Sequence, residues 1–234
     1  MTGLVEFKTF ENRLAASHAA AALLARQLKG TLDEDPLTNA SLVVSGGSTP
    51  GPCFARLSNK PLDWSRVTVV PSDERWVPAG DPDSNEGLVR RQLLRGPARQ
   101  AQLLSFFREG IEAEQAPRVI EQDLETVPRP FIASLLGMGE DGHFASLFPD
   151  FAGLPEALDP GGVAKCVMVQ TVGSPHRRIS LTLSALLESS AIVLLIFGET
   201  KRRVFEAASA GGTGYPVESL LRHAGCPVRV MWAE

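Results

Sequence analysis

Short runs that are apolar at nearly every position recur along the chain, at Ser41–Ser45, Val67–Val70, Phe131–Leu136, Cys166–Val169, Ala191–Phe197 and Val228–Trp232. A strand with one wet face alternates polar and apolar residues, whereas a run apolar throughout suits a strand covered on both faces. That is the condition of a mostly parallel sheet with helices on each side. The segments between the runs supply the helices. Leu14, Ala21, Leu24, Ala25 and Leu28 recur at helical spacing in an alanine-rich context, which predicts a first amphipathic helix. Further helices are predicted over Pro50–Leu57, Ser84–Leu94, Pro117–Leu124 and Thr200–Ser209, with Pro50 suited to a first helical position. The alternation predicts an α/β fold with an open, mostly parallel, doubly wound sheet.

No internal repeat is visible, and the Pro/Gly-rich stretch Phe151–Gly162 is short and soon followed by a strand-like run. It therefore reads as an excursion within a single domain spanning residues 1–234. A formal net charge of −4 offers no extended basic field, which argues against nucleic acid as a partner. Met1–Phe10 lacks the cationic and apolar regions of a secretory signal, and no apolar run approaches the roughly 20 residues that span a bilayer. The expectation is a cytoplasmic protein without a membrane or obligatory protein partner. Cys53, Cys166 and Cys226 are far apart and not at zinc-site spacing, so they read as reduced structural thiols.

In an open α/β sheet, ligands bind beyond the carboxyl ends of the strands, and the loops there carry the candidate chemistry. The first, Ser45-Gly46-Gly47-Ser48-Thr49-Pro50, leaves a strand and enters a helix. Its backbone N–H groups and the Ser48 and Thr49 hydroxyls suit a phosphate. It matches neither a Walker loop nor a dinucleotide fingerprint, so no nucleotide cofactor is expected, and the plain alternative is a strand-to-helix turn capped by Thr49. The second, Pro71-Ser72-Asp73-Glu74-Arg75-Trp76, places two acids and a guanidinium together. Arg75 suits a phosphate or carboxylate, and Asp73 or Glu74 suits orienting Arg75 or a histidine, unless the triplet is a surface ion pair.

The third loop, Gly137-Met138-Gly139-Glu140-Asp141-Gly142-His143, surrounds one histidine with glycines. An unperturbed imidazole, near ~6.5, suits proton transfer at neutral pH, which makes His143 the leading general base. His18 and His223 read as structural or surface residues. The fourth region, Gly173-Ser174-Pro175-His176-Arg177-Arg178, gathers cations that either close on a phosphate or form a solvated turn. Lys201 lies near another strand end, in a setting equally common on surfaces. The four histidines are scattered, without metal-site spacing, and no G-x-S-x-G elbow is present, so attack by water without a metal is the simplest chemistry.

Five segments, in order, resemble the 6-phosphogluconolactonases: LVVSGGSTP from Leu42, SDERWVP from Ser72, DSNEGLVRRQLL from Asp83, LLGMGEDGHFASLFP from Leu135 and SPHRRISLTLSALL from Ser174. Glucosamine-6-phosphate deaminases share a similar DGH but continue with an Asn-Glu-Pro pattern, where this chain has Ala145-Ser146-Leu147-Phe148-Pro149. The resemblance implies a sugar-phosphate-isomerase-like fold and hydrolysis of 6-phosphogluconolactone in the oxidative pentose phosphate pathway, and no cofactor is expected. It places the catalytic histidine at His143, the acid at Asp73 and the arginine at Arg75. The expected substrate contacts are Gly46, Gly47, Ser48, Thr49, Arg75, Gly139, His176 and Arg178, with Asp73 orienting His143 or Arg75 and amides near Gly46, Gly47 or Gly139 facing the oxyanion. The family's phosphate-binding lysine after Ser-Pro is replaced here by His176, so either His176 or a neighbouring arginine takes that contact. Two other readings fit such a fold: an aldose-ketose isomerase or amino-sugar deaminase, and a noncatalytic sugar-phosphate sensor.

Overall fold

The computed structural model describes residues 4–234. In chain order its elements are β1 (Val5–Thr9), α1 (Arg13–Glu34), β2 (Ala40–Val44), α2 (Gly51–Leu57), β3 (Val67–Pro71), β4 (Asp73–Arg75), α3 (Asn85–Gln92), β5 (Gln102–Leu103) and α4 (Ala116–Leu124). They continue with β6 (Ala133–Leu136), α5 (Leu154–Ala157), β7 (Cys166–Val169), β8 (Arg178–Leu181), α6 (Leu183–Leu186), β9 (Ile192–Phe197), α7 (Glu199–Ala210), α8 (Pro216–His223) and β10 (Val228–Ala233).

Seven strands form one sheet in the order β1-β10-β9-β6-β2-β3-β5, and every pairing in it is parallel. The chain winds outward from β2 through β3 to β5, then returns to β6 on the other side of β2 and winds outward to β9 and β10. The reversal between β2 and β6 is a topological switch point, where the connections leave in opposite directions and a crevice opens beyond the strand ends. The doubly wound, mostly parallel expectation is met.

The sheet is covered on both faces because successive strand residues point to opposite sides. In β9, Ile192, Leu194 and Ile196 join one core with residues of α4, α7 and α8, such as Ile120, Phe205 and Leu220. Val193 and Leu195 join the other, with Leu24 and Leu28 of α1 and Phe54 of α2. Truncating such a fully buried residue, for example Leu194→Ala, costs about 2–5 kcal/mol through lost burial and the cavity left behind.

Several elements depart from the sequence reading. Helix α1 begins one residue before Leu14, after Asn12, whose side chain accepts the Ala15 N–H at 2.9 Å, and it runs beyond Leu28. Leu14, read as part of the apolar face, is 54% exposed. The Asp73-Glu74-Arg75 loop is a strand, β4. It pairs antiparallel with β8, which pairs antiparallel with β7, so the Cys166–Val169 run belongs to this second, three-stranded sheet and not to the parallel one. Thr49 does not cap α2, since Pro50 holds that position without a side-chain cap. The three cysteines are free and buried, and burial pushes the Cys53 thiol up to about 12 and that of Cys166 upward also, which leaves them poor nucleophiles. Among the described residues, no helix is long and apolar enough to cross a membrane.

Candidate active site

A cavity of about 240 Å³ opens at the switch point. It is lined by the loops after β2 and β6, by β4 and β8, and by the start of α7. Ser45, Gly46, Gly47, Ser48, Thr49, Asp73, Arg75, Gly139, His143 and Arg178 all line it, together with Asn85 and Lys201. His176 does not.

The loop after β2 brings unpaired donors. Among the described residues, the backbone N–H groups of Gly46, Gly47, Ser48 and Thr49 donate to no protein acceptor. Such amides at a helix entrance are ready to hold an anion.

The loop after β6 folds back on itself around His143. The Gly139 N–H donates to the His143 carbonyl at 2.8 Å. A Cβ on Gly139 would stand 2.1 Å from the His143 Nδ1, so only glycine lets the ring lie there. Nδ1 is 2.5 Å from the Asp141 Oδ1, which also accepts the His143 N–H at 3.2 Å. With Nδ1–H given to a carboxylate, Nε2 is the free acceptor, the tautomer a general base needs. The ring packs on Phe148, with centroids 4.3 Å apart. Ala145, two residues on, has a φ of 49°, a left-handed conformation that costs a non-glycine residue about 1–2 kcal/mol.

Asp141 occupies the orienting place expected of Asp73. The Asp73 carboxylate is buried and accepts the Ser72 hydroxyl at 2.9 Å and the Ser146 hydroxyl at 2.6 Å, with Arg178 Nη1 at 3.9 Å. Its hydrogen bonds reach neither His143 nor Arg75. Glu74, fully buried, does not orient either side chain. Its carboxylate accepts the Asn85 and Glu86 N–H groups at 2.8 and 2.6 Å and the Ser84 hydroxyl at 3.0 Å, which ties β4 to the start of α3. Burial pushes the Glu74 carboxyl up, against the pull of these donors. Asn85, which the motif contained but sequence reasoning left without a role, donates to the Asp73 carbonyl at 2.8 Å.

The antiparallel register of β4 and β8 sets Arg75 opposite Arg178. Arg75 Nη1 donates to the Asp83 carbonyl at 2.6 Å, and its Nε is buried without an acceptor. Arg178 lies 5.1 Å over the Phe148 ring. Burial lowers the Arg178 pKa, while Asp73 beside it favours the charge. Burial lowers that of Lys201 as well, opposed by Glu140. Two neighbouring guanidiniums on the β4–β8 wall, with a half-buried ammonium elsewhere in the cavity lining, are a standing cost that an anionic ligand relieves.

His176 turns away from this wall, with Nε2 2.9 Å from the Asp83 Oδ2. Arg177 pairs with Glu114 at 2.7 Å. The phosphate contact expected of His176 is therefore not in the geometry, and Lys201 stands in the cavity instead. Among the described residues, no group of three or more His, Cys, Asp or Glu side chains is placed to hold a metal ion.

Residues 11–232 match the family model described as glucosamine-6-phosphate isomerases/6-phosphogluconolactonase. The chain belongs to this family. Within the glucosamine-6-phosphate isomerase/6-phosphogluconolactonase family, it is 40% identical to a 6-phosphogluconolactonase of Pseudomonas aeruginosa, over 91% of this chain and 88% of that one. A crystal structure of a 6-phosphogluconolactonase from Shewanella baltica superposes with a TM-score of 0.93 at 39% identity, covering 100% of both chains. A monomeric glucosamine-6-phosphate deaminase shares the fold, with a TM-score of 0.76 at 20% identity, over 98% of this chain and 97% of that one. The family fold thus hosts both names, and the site residues must discriminate between them.

Proposed function

We propose that this chain is a single-domain cytoplasmic enzyme that hydrolyses 6-phospho-D-glucono-1,5-lactone to 6-phospho-D-gluconate, the lactone step of the oxidative pentose phosphate pathway. The observation that carries this reading is the His143 imidazole in the cavity, with Nδ1 held by Asp141 at 2.5 Å. The relatives named 6-phosphogluconolactonase at 35–40% identity support the choice of substrate.

In this reading Nε2 of His143 removes a proton from a water as its oxygen bonds to the lactone carbonyl carbon, giving a tetrahedral oxyanion. Unpaired backbone amides of the Gly46–Thr49 loop face the developing charge, and not that of Gly139, whose N–H is held by the His143 carbonyl. The bond from that carbon to the ring oxygen then breaks, and the imidazolium returns the proton to the departing oxygen. Asp141 holds the ring in the tautomer that can do both. The remaining Gly46–Thr49 donors, with Arg178, Arg75 and Lys201, take the phosphate. Asp73, bound to Ser72, Ser146 and Arg178, shapes that wall and keeps Arg178 charged.

The test generates the lactone in situ and follows acid release above its spontaneous hydrolysis, for wild type and His143→Ala side by side. Acceleration by wild type alone supports both substrate and base. Equal turnover by His143→Ala removes the base assignment. Absence of acceleration by wild type, with ammonia released from glucosamine 6-phosphate, replaces the reading with a deaminase.

A further inference from the structure

The hydrogen bonds that shape the His143 loop come largely from the loop itself, but a second element reaches it from outside. The Val217 N–H lies in the first turn of α8, where helix amides have no partner in their own helix. It donates to the Gly142 carbonyl at 3.0 Å. Gly142 has a φ of 76°, and a Cβ there would stand 2.7 Å from the Tyr215 Cβ and 2.9 Å from its ring. Tyr215 therefore packs directly on the residue that precedes His143.

Tyr215 is itself fixed by a corner built around Glu218. The Glu218 carboxylate accepts the backbone N–H groups of Gly212, Thr213 and Gly214 at 2.9, 2.9 and 3.3 Å, the Thr213 hydroxyl at 2.9 Å, and Arg222 Nη2 at 2.5 Å. Its own N–H donates to the Tyr215 carbonyl at 2.9 Å. A buried carboxylate with this many donors gives a glycine-rich corner one conformation. None of these groups lines the cavity, and the hydrogen bond and close packing at Gly142 link them to the His143 loop.

We infer that Tyr215 and Glu218 are positioning residues for His143: the 211–218 corner braces Gly142, and through it the reach of the imidazole towards the attacking water. This rests on the lactonase reading of the cavity. Misplacement of a reacting group by about 1 Å costs on the order of 100-fold in rate, while the Gly46–Thr49 amides, and Arg75 and Arg178 on β4 and β8, have no hydrogen bond to the corner. The brace thus acts on kcat and leaves KM alone, which separates it from a part that merely holds the fold together.

The experiment measures kcat and KM for lactone hydrolysis, and the melting temperature, in wild type, Tyr215→Ala, Tyr215→Phe and Glu218→Ala. The brace predicts a fall in kcat of about 10-fold to 100-fold for Tyr215→Ala with KM within about twofold. Tyr215→Phe keeps the ring that touches Gly142 and restores kcat. Tyr215 is half-buried, which favours a folded truncation, and if Tyr215→Ala does not fold, Glu218→Ala reads the same brace. Its kcat falls by about 3-fold to 30-fold with KM unchanged. Wild-type kcat in the folded variants overturns the inference, as does a KM that rises in step with the loss of kcat, or a Tyr215→Phe as slow as Tyr215→Ala. Absence of lactonase activity in wild type is the separate failure of the functional reading, and the inference falls with it.

Discussion

Two histidines of this chain sit in strand-end loops, each bonded to an aspartate, and their side chains are almost equally exposed, 29% for His143 and 28% for His176. They differ in where the partner comes from. Asp141 is two residues from His143 and belongs to the same glycine-rich loop, so the pair moves as one unit and stays in the cavity. Asp83 is 93 residues from His176, and its pull fastens the Ser174–Arg177 turn to the loop before α3, outside the cavity. A histidine–carboxylate pair is therefore no mark of a base by itself. What distinguishes His143 is that its second nitrogen is left free beside unpaired amides and cations.

The contrast breaks first at His143. Replacement by alanine is expected to lower kcat by about 100-fold to 10,000-fold with little change in KM, the contribution of a general base. Asp141→Asn keeps the shape but favours the wrong tautomer, and stopped-flow acid release is expected to show a loss of about 10-fold to 10,000-fold in kcat. Asp73→Asn, by comparison, leaves the imidazole's partner in place. If it proves the more damaging of the two, the orienting role moves back to Asp73.

Arg178→Ala removes a charged donor from the phosphate wall. It is expected to raise KM for the lactone by about 10-fold to 100-fold, the range of a hydrogen bond to a charged group. His176→Ala sharpens the comparison from the other side: an exposed pair is worth little, so kcat and KM are expected to stay within about twofold to threefold. A tenfold rise in KM would return His176 to the phosphate site.

The smallest effect concerns the brace. Backbone N–H groups of Gly212 and Thr213 hold the Glu218 carboxyl down to about 2, below its ordinary 4.5. A depressed carboxylate contributes stability that is complete above its unfolded value and is lost as pH falls through the folded one. The melting temperature of wild type is expected to fall more steeply between pH 4.5 and 2 than that of Glu218→Gln. Parallel curves would show that the carboxylate's charge does not hold the corner.

Much of the fold was legible because its strands are apolar on both faces and its helices carry periodic stripes, signals local to each segment. The cavity-lining loops were legible for a related reason: the Gly46-Gly47 and Gly137–His143 segments announce close backbone approach where strands end. The Asp73–Arg75 strand was not legible. Three polar residues carry no alternation, and only pairing with β8 makes them a strand. The 211–218 corner was missed likewise, since its glycines read as an ordinary turn until Glu218 is seen to fill it.

The sequence by itself determined the α/β class, the parallel sheet, the family resemblance and the short list of groups able to move a proton or hold a phosphate, because these follow from periodicity and residue chemistry. Tertiary structure alone decided that Asp141 and not Asp73 holds His143, that His176 faces Asp83, that Arg75 and Arg178 stand side by side, and that Tyr215 backs the His143 loop. Each is a contact whose energy depends on distance and direction, and all but the Asp141–His143 pair join residues that chain order leaves unrelated.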